Sequence, residues 1–220
     1  NPQLNVWLAV LEHGVETVAK ELATLGEVDR PAGLPDAIVV PLLTAPHPPT
    51  SWAINEAVAA SGISATVAEP LGPHPLLAEA LHIRLSEAGL ARVDRARLFN
   101  IGSPVDGVIL ATVGGEAGVR ATEPTGVLLA VRLAVPVMCA AVDGPPDVAQ
   151  VAERLGAMGA ARLALAPGVV GPEVEPGLLP RLAEQVGAGC AAPLGAHPSL
   201  AALAGLRYGD ALAEIEAALD

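Results

Sequence analysis

Glu69-Pro70-Leu71-Gly72-Pro73-His74-Pro75-Leu76-Leu77 returns as Ala192-Pro193-Leu194-Gly195-Ala196-His197-Pro198-Ser199-Leu200. A chain that ends two segments on one phrase reads as a duplication, and a repeat decides architecture before any local pattern does. The echo reaches upstream. Laying Pro41 on Pro167 brings Ile38 to Leu43 onto Ala164 to Val169, three residues off the register of the first match, which is one loop insertion. Further back, Ala9-Val10-Leu11-Glu12 sits over Ala140-Ala141-Val142-Asp143, each an apolar run closing in an acid before a helical stretch.

Apolar runs alternate with helical patterns along both copies. The first half reads as strand Asn5 to Leu11, helix Glu16 to Leu25, strand Ala37 to Leu43, helix Trp52 to Ser61, strand Ala65 to Ala68 and helix Pro75 to Ala88. The second half opens on a unit without counterpart in the first: strand Gly107 to Val113, the turn Gly114-Gly115 and helix Thr125 to Leu133. It continues with strand Pro136 to Val142, helix Pro146 to Met158, strand Arg162 to Ala166, helix Leu178 to Val186, strand Gly189 to Ala192, helix Pro198 to Leu203 and a last helix, Gly209 to Leu219. Strands separated by helices predict βαβ units, because parallel neighbours need a crossover that a helix supplies. The expected fold is α/β: two similar lobes, each a parallel sheet flanked by helices. Their expected extents are 1–92 and 107–220, joined by a charged, Gly- and Pro-containing linker at 93–106. The leading strand, turn and helix are not seen in the first copy, and the expectation is that they either lie upstream of Asn1 or are lost.

Composition narrows the function. Hydrophobic residues make up 52% of the chain and aromatic ones 2%, so the core is built from Ala, Val and Leu, which suits sheets covered on both faces. With 12 basic against 24 acidic residues, nucleic acid and anionic membrane are excluded as expected partners. The longest apolar stretch, Gly126 to Val142, is interrupted by Arg132 and Pro136 and is too short to span a bilayer. A soluble protein is expected. Cys139 and Cys190 fall in predicted buried strands, so neither reads as half of a disulfide framework, and a reducing cytoplasm is the expected location.

The doubled unit ending in Pro-Leu-Gly-x-His-Pro, with Ala37 to Leu43 and Leu8 to Glu12 before it, resembles the CbiX-type sirohydrochlorin chelatases in their long two-domain form. The resemblance implies insertion of Co(II) or Fe(II), as substrate metals, into sirohydrochlorin, a tetrapyrrole, on the way to corrinoids or sirohaem. It implies no permanent cofactor, leaves an oligomer open, and places the site near the carboxyl ends of the parallel strands. Family members use a His in a His-Gly-Ser turn, a Glu after the second strand and a His in the loop after the third. Here Glu12 matches the Glu, with His13 beside it as a second imidazole. His47 lies in the third-strand loop, two places early, with Pro49 at the family position. The second copy puts Val113-Gly114-Gly115-Glu116 where the His-Gly-Ser turn would be. Imidazole and carboxylate ligate either metal and accept the pyrrole protons that leave as it enters, so His47, Glu12 and His13 are the expected metal residues, and His47 and Glu12 the catalytic ones. The alternative is a non-catalytic, degenerate member that binds a tetrapyrrole or metal. A two-lobed small-ligand binder is a third reading.

Each candidate has a structural rival. His47 can be a loop residue stiffened by prolines, and Glu12 a helix-start carboxylate. His74 and His197, present in both copies, read as residues of the shared fold whose rings cap backbone groups at helix starts. His82 reads as a packing or surface residue. Gly114-Gly115 could cradle a phosphate or carboxylate with backbone N–H groups, or be a tight turn. Arg84, Arg92, Arg95 and Arg97 form the one basic concentration and could meet the substrate's carboxylates, or merely solvate a linker.

Overall fold

A computed structural model describes residues 5–11, 14–27, 34–92, 103–171 and 173–219. The chain divides into two compact units, neither of them a continuous stretch: one takes residues 1–41, 48–69 and 206–220, the other 42–47 and 70–205.

In the first unit, strand β1 (Ala37–Val39) pairs in parallel with β2 (Ala65–Val67), Ile38 opposite Thr66. Helix α2 (Pro48–Ser61) is the crossover between them. It begins on two prolines, whose missing N–H groups would be unbonded in a first helical turn anyway. Helix α1 (Val15–Ala23) is amphipathic, buries Val18, Ala19 and Leu22, and ends in a 3-10 turn at Thr24–Glu27. Val18 and Leu22 pack with Ala57 of α2, and Val39 and Ile63 lie against them.

The second unit holds the larger sheet, in the order β4-β3-β5-β6, all parallel: β3 (Gly107–Thr112), β4 (Val137–Ala141), β5 (Leu163–Pro167) and β6 (Gly189–Cys190). Every residue of β3 is buried, as a central strand covered on both faces requires. Its alternating side chains serve two layers. Ile109 and Ala111 join Val148, Val151 and Leu155 of α5 (Val148–Ala157) and Leu179 and Ala183 of α6 (Leu178–Gln185). Leu110 faces the other way, toward α4 (Gly115–Leu133), where Gly126 approaches Leu110 and Cys139 closely enough that a Cβ would lie 3.1 Å from the Cys139 sulfur. Helix α3 (Pro75–Glu87) packs beside α4. The expected parallel α/β architecture is therefore present.

Three expectations change. Residues 5–10 form no strand, and Val6, Trp7 and Leu8 stand 84%, 60% and 76% exposed. β4, which the repeat lays over them, is held by β3 alone, and among the described residues up to 92 no strand pairs with residues 5–10. An apolar run becomes a strand only with a ladder partner. Helix α4 starts directly after Gly114 and runs through Pro124, instead of beginning at Thr125. An interior proline costs about 3 kcal/mol, and burial of Val119, Thr122, Thr125 and Leu129 along the same helix offsets it. The last two predicted helices are one, α7 (Pro198–Leu219), because Gly205 and Gly209 each weaken a helix by only about 1 kcal/mol. Residues 93–102 of the expected linker lie outside the described residues. Asp106, at its end, accepts N–H bonds from Ala161 and Arg162 and pairs with the Arg162 guanidinium. Those contacts hold its carboxyl below the usual range.

Candidate functional site

The carboxyl ends of β3, β4 and β5 lie side by side, which is where open parallel sheets bind ligands. The segment Leu42–His47, which follows β1, belongs to the same unit as these strand ends. Thr44 Oγ1 donates to the Gly168 carbonyl just past β5, at 2.6 Å. Gly72 N–H donates to Leu43 O, and Gly72 sits so close that a Cβ would run into the Thr44 carbonyl. The glycine of the repeated phrase is thus fixed in the first copy by close approach. In the second copy the same glycine, Gly195, has a φ of 56°, the left-handed region that glycine tolerates best.

His47 is half-buried against the turn after β3. A Cβ on Gly114 would come within 3.2 Å of its Cδ2 and 3.3 Å of its Nε2, so the imidazole rests on a residue that must lack a side chain. That turn is held from the next strand. Asp143, just past β4, accepts from Gly114 N–H at 2.8 Å and 3.1 Å through its two oxygens, and from Gly115 N–H at 2.9 Å. The expected anion cradle is real in its geometry, but the carboxylate it holds comes from within the chain. Asp143 was legible only as the second-copy counterpart of Glu12, and sequence reasoning gave it no role.

Of the expected metal residues, only His47 can be placed. Glu12 and His13 lie outside the described residues, as do Arg95 and Arg97. Among the described residues, no three His, Cys, Asp or Glu side chains converge as a metal group.

The repeated histidines are structural. His74 Nδ1 accepts from Leu76 N–H at 3.2 Å, and His197 Nδ1 accepts from Ser199 N–H at 3.1 Å, each capping a helix that begins with proline. Burial, reinforced by the Arg84 charge, lowers the pKa of His197. His82 is buried: its Nε2 meets the Arg92 carbonyl at 2.7 Å, and its Nδ1 accepts from Arg132 Nε. With Nδ1 accepting, the proton sits on Nε2. Arg84 is committed as well, with Nε and Nη2 on the Leu194 carbonyl and Nη1 on Glu87. This corrects the reading of Arg84 as a substrate-carboxylate partner. Cys139 is buried and its thiol is pushed up to about 12, chiefly by desolvation. Cys190 is only half-buried, less than expected, and its pKa too is raised by burial. Among the described residues no helix is long and apolar enough to cross a membrane.

An open cavity of about 750 Å³ lies between the loop after β5 and the end of β6. Its walls include Val174, Glu175, Leu179, Pro180, Cys190 and Pro193.

No family model matches the sequence, and no curated protein does. Solved structures do match in fold. SirB from Bacillus subtilis with Fe3+ superposes with a TM-score of 0.63 at 17% identity, over 82% of this chain and 73% of that one. The sirohydrochlorin chelatase SirB from Bacillus subtilis subspecies spizizenii, in complex with cobalt, matches with a TM-score of 0.60 at 16% identity, over 94% and 78%. A multi-domain protein of Deinococcus radiodurans with structural similarity to chelatases matches at 0.56, over 86% of this chain and 43% of that one. The chain thus has a chelatase fold.

Proposed function

We propose that this protein is a tetrapyrrole metal chelatase that inserts Co(II) or Fe(II) into sirohydrochlorin, in cobalamin or sirohaem biosynthesis. The observation that carries the proposal is His47, an imidazole set at the carboxyl ends of the strands of a sheet whose fold matches two SirB structures. Either metal is compatible with imidazole and carboxylate ligands. In this reading His47 and Glu12 hold the entering metal, with His13 assisting. The two pyrrole protons displaced by the metal pass to the same groups and on to water. The metal is a substrate, and no resident cofactor takes part. A cytoplasmic location belongs to the same proposal.

The test is anaerobic incubation with sirohydrochlorin and Co(II) or Fe(II), followed by the change in the absorption spectrum. The protein accelerates insertion over the spontaneous rate, and His47→Ala and Glu12→Ala each lower that rate by about 100-fold or more, the range for loss of a positioned acid–base group. Unchanged rates in both variants remove these residues from the site. An intact protein that binds sirohydrochlorin without acceleration leaves the non-catalytic, tetrapyrrole-binding reading.

The chain organisation is part of the proposal: two halves, 1–92 and 107–220, descended from one duplicated unit and joined at 93–106. Beyond the repeated caps, Arg84 pairs with Glu87 and Arg207 with Asp210 at the same place in the two helices that follow the repeated phrase.

A further inference from the structure

We infer that Asp143 is a positioning residue for His47, acting through the Gly114-Gly115 turn; the inference rests on the proposed role of His47 in metal insertion. Gly114 and Gly115 have φ values of 92° and 56°, two consecutive left-handed residues. Glycine reaches that conformation without steric cost, but it also has the most freedom to leave it. An unrestrained pair of glycines would give the imidazole above it no fixed seat. Asp143 supplies the restraint. Its carboxylate takes three N–H bonds from the pair, and charged acceptors make the stronger class of such bonds.

The clamp is anchored on both sides. Val142 N–H bonds to Thr112 O, which ties the residue before Asp143 to the end of β3. Gly144 presses on the turn from below, where a Cβ would meet the Gly115 Cα at 3.2 Å. Beyond the turn, Gly118 N–H bonds to Gly114 O and carries it into α4. The turn is thereby fixed to the rigid sheet through Asp143, and the His47 ring lies on its Gly114 face. Both Asp143 oxygens are engaged by the turn, so its contribution to the reaction runs through His47.

The test joins a spectroscopic readout to a kinetic one. In 13C-labelled protein, ring signals of the histidines are recorded and His47 is assigned with His47→Gln. In Asp143→Ala the His47 ring signal shifts or broadens while those of His74 and His197 stay in place. The insertion rate constant then falls about tenfold, the usual cost of removing an outer-shell partner, with the KM for sirohydrochlorin unchanged. Asp143→Asn keeps one oxygen acceptor for the turn and recovers most of both readouts. A His47 signal that superimposes on wild type in Asp143→Ala, while the Gly114 and Gly115 amide signals move, overturns the inference. If Asp143→Ala does not fold, Asp143→Ser, with a shorter acceptor, is read by the same criteria. Should the wild-type protein show no insertion, the chelatase reading fails while the ring signal still decides whether Asp143 positions His47.

Discussion

The two halves of the chain carry the same helix-start phrase and build different sheets from it. The second half makes four parallel strands around a fully buried β3, whereas the first makes the pair β1 and β2, with all six residues only partly buried. In the second half β3 sits between β4 and β5 and joins them, whereas among the described residues of the first half no strand pairs with the apolar run at residues 5–10. The halves also exchange helices. α3, from the first half, lies in the unit of the four-stranded sheet, and residues 206–219 of α7, from the second half, lie in the unit of β1 and β2. Sequence neighbours and packing neighbours are therefore different sets.

The largest expected effect tests the contrast between the sheets. Leu110→Ala in β3, where Leu110 is fully buried, removes about 3 to 4 kcal/mol of stability, and Val39→Ala in the half-buried β1 about 1 kcal/mol. Equal losses in urea unfolding would break the comparison. Next, Arg84→Ala strips the Leu194 carbonyl of two guanidinium bonds and costs about 1.5 kcal/mol, measured in the same way. The helix caps should behave alike. His74→Ala and His197→Ala each lose about 1 kcal/mol, the usual value of an N-cap bond. A cap that matters in only one copy would sharpen the structural difference between the halves.

The smallest effect is one of pH. Burial and Arg84 lower the pKa of His197 in the folded protein below its unfolded value near 6.5, so the unfolded chain binds more protons in that interval. The stability tied to neutral His197 is complete above the unfolded pKa. It declines as pH falls from there toward the lower folded pKa, because protonation of Nδ1 removes the acceptor that caps α7. His197→Asn keeps a capping oxygen and cannot titrate. Unfolding curves at pH 7 and pH 5 should therefore lie closer together in that variant than in wild type. An unchanged separation would assign the acid sensitivity to other groups.

Much of the second half was readable because its signals are local. Val-Ile-Leu-Ala in β3 is an uninterrupted apolar run, and α5, set by a capping box between Asp147 and Gln150, starts at Val148, two residues past the predicted Pro146. The histidine caps were readable from the proline that follows each ring. Val6-Trp7-Leu8 misled for the opposite reason, since its strand character depends on a partner elsewhere. In the candidate site, the loop holding His47 could be picked out as a loop, but its contact with Gly114, 67 residues away, could not.

The sequence alone determined the repeat, the alternation of strands and helices and the residue types able to meet a metal, because these are periodicities and short motifs. Tertiary structure decided which runs found ladder partners, which half each helix covers, that Arg84 is spent on a carbonyl, and that Asp143 fills the Gly114-Gly115 cradle beneath His47. Those outcomes depend on close approach between segments far apart in the chain, set by packing rather than by any local pattern.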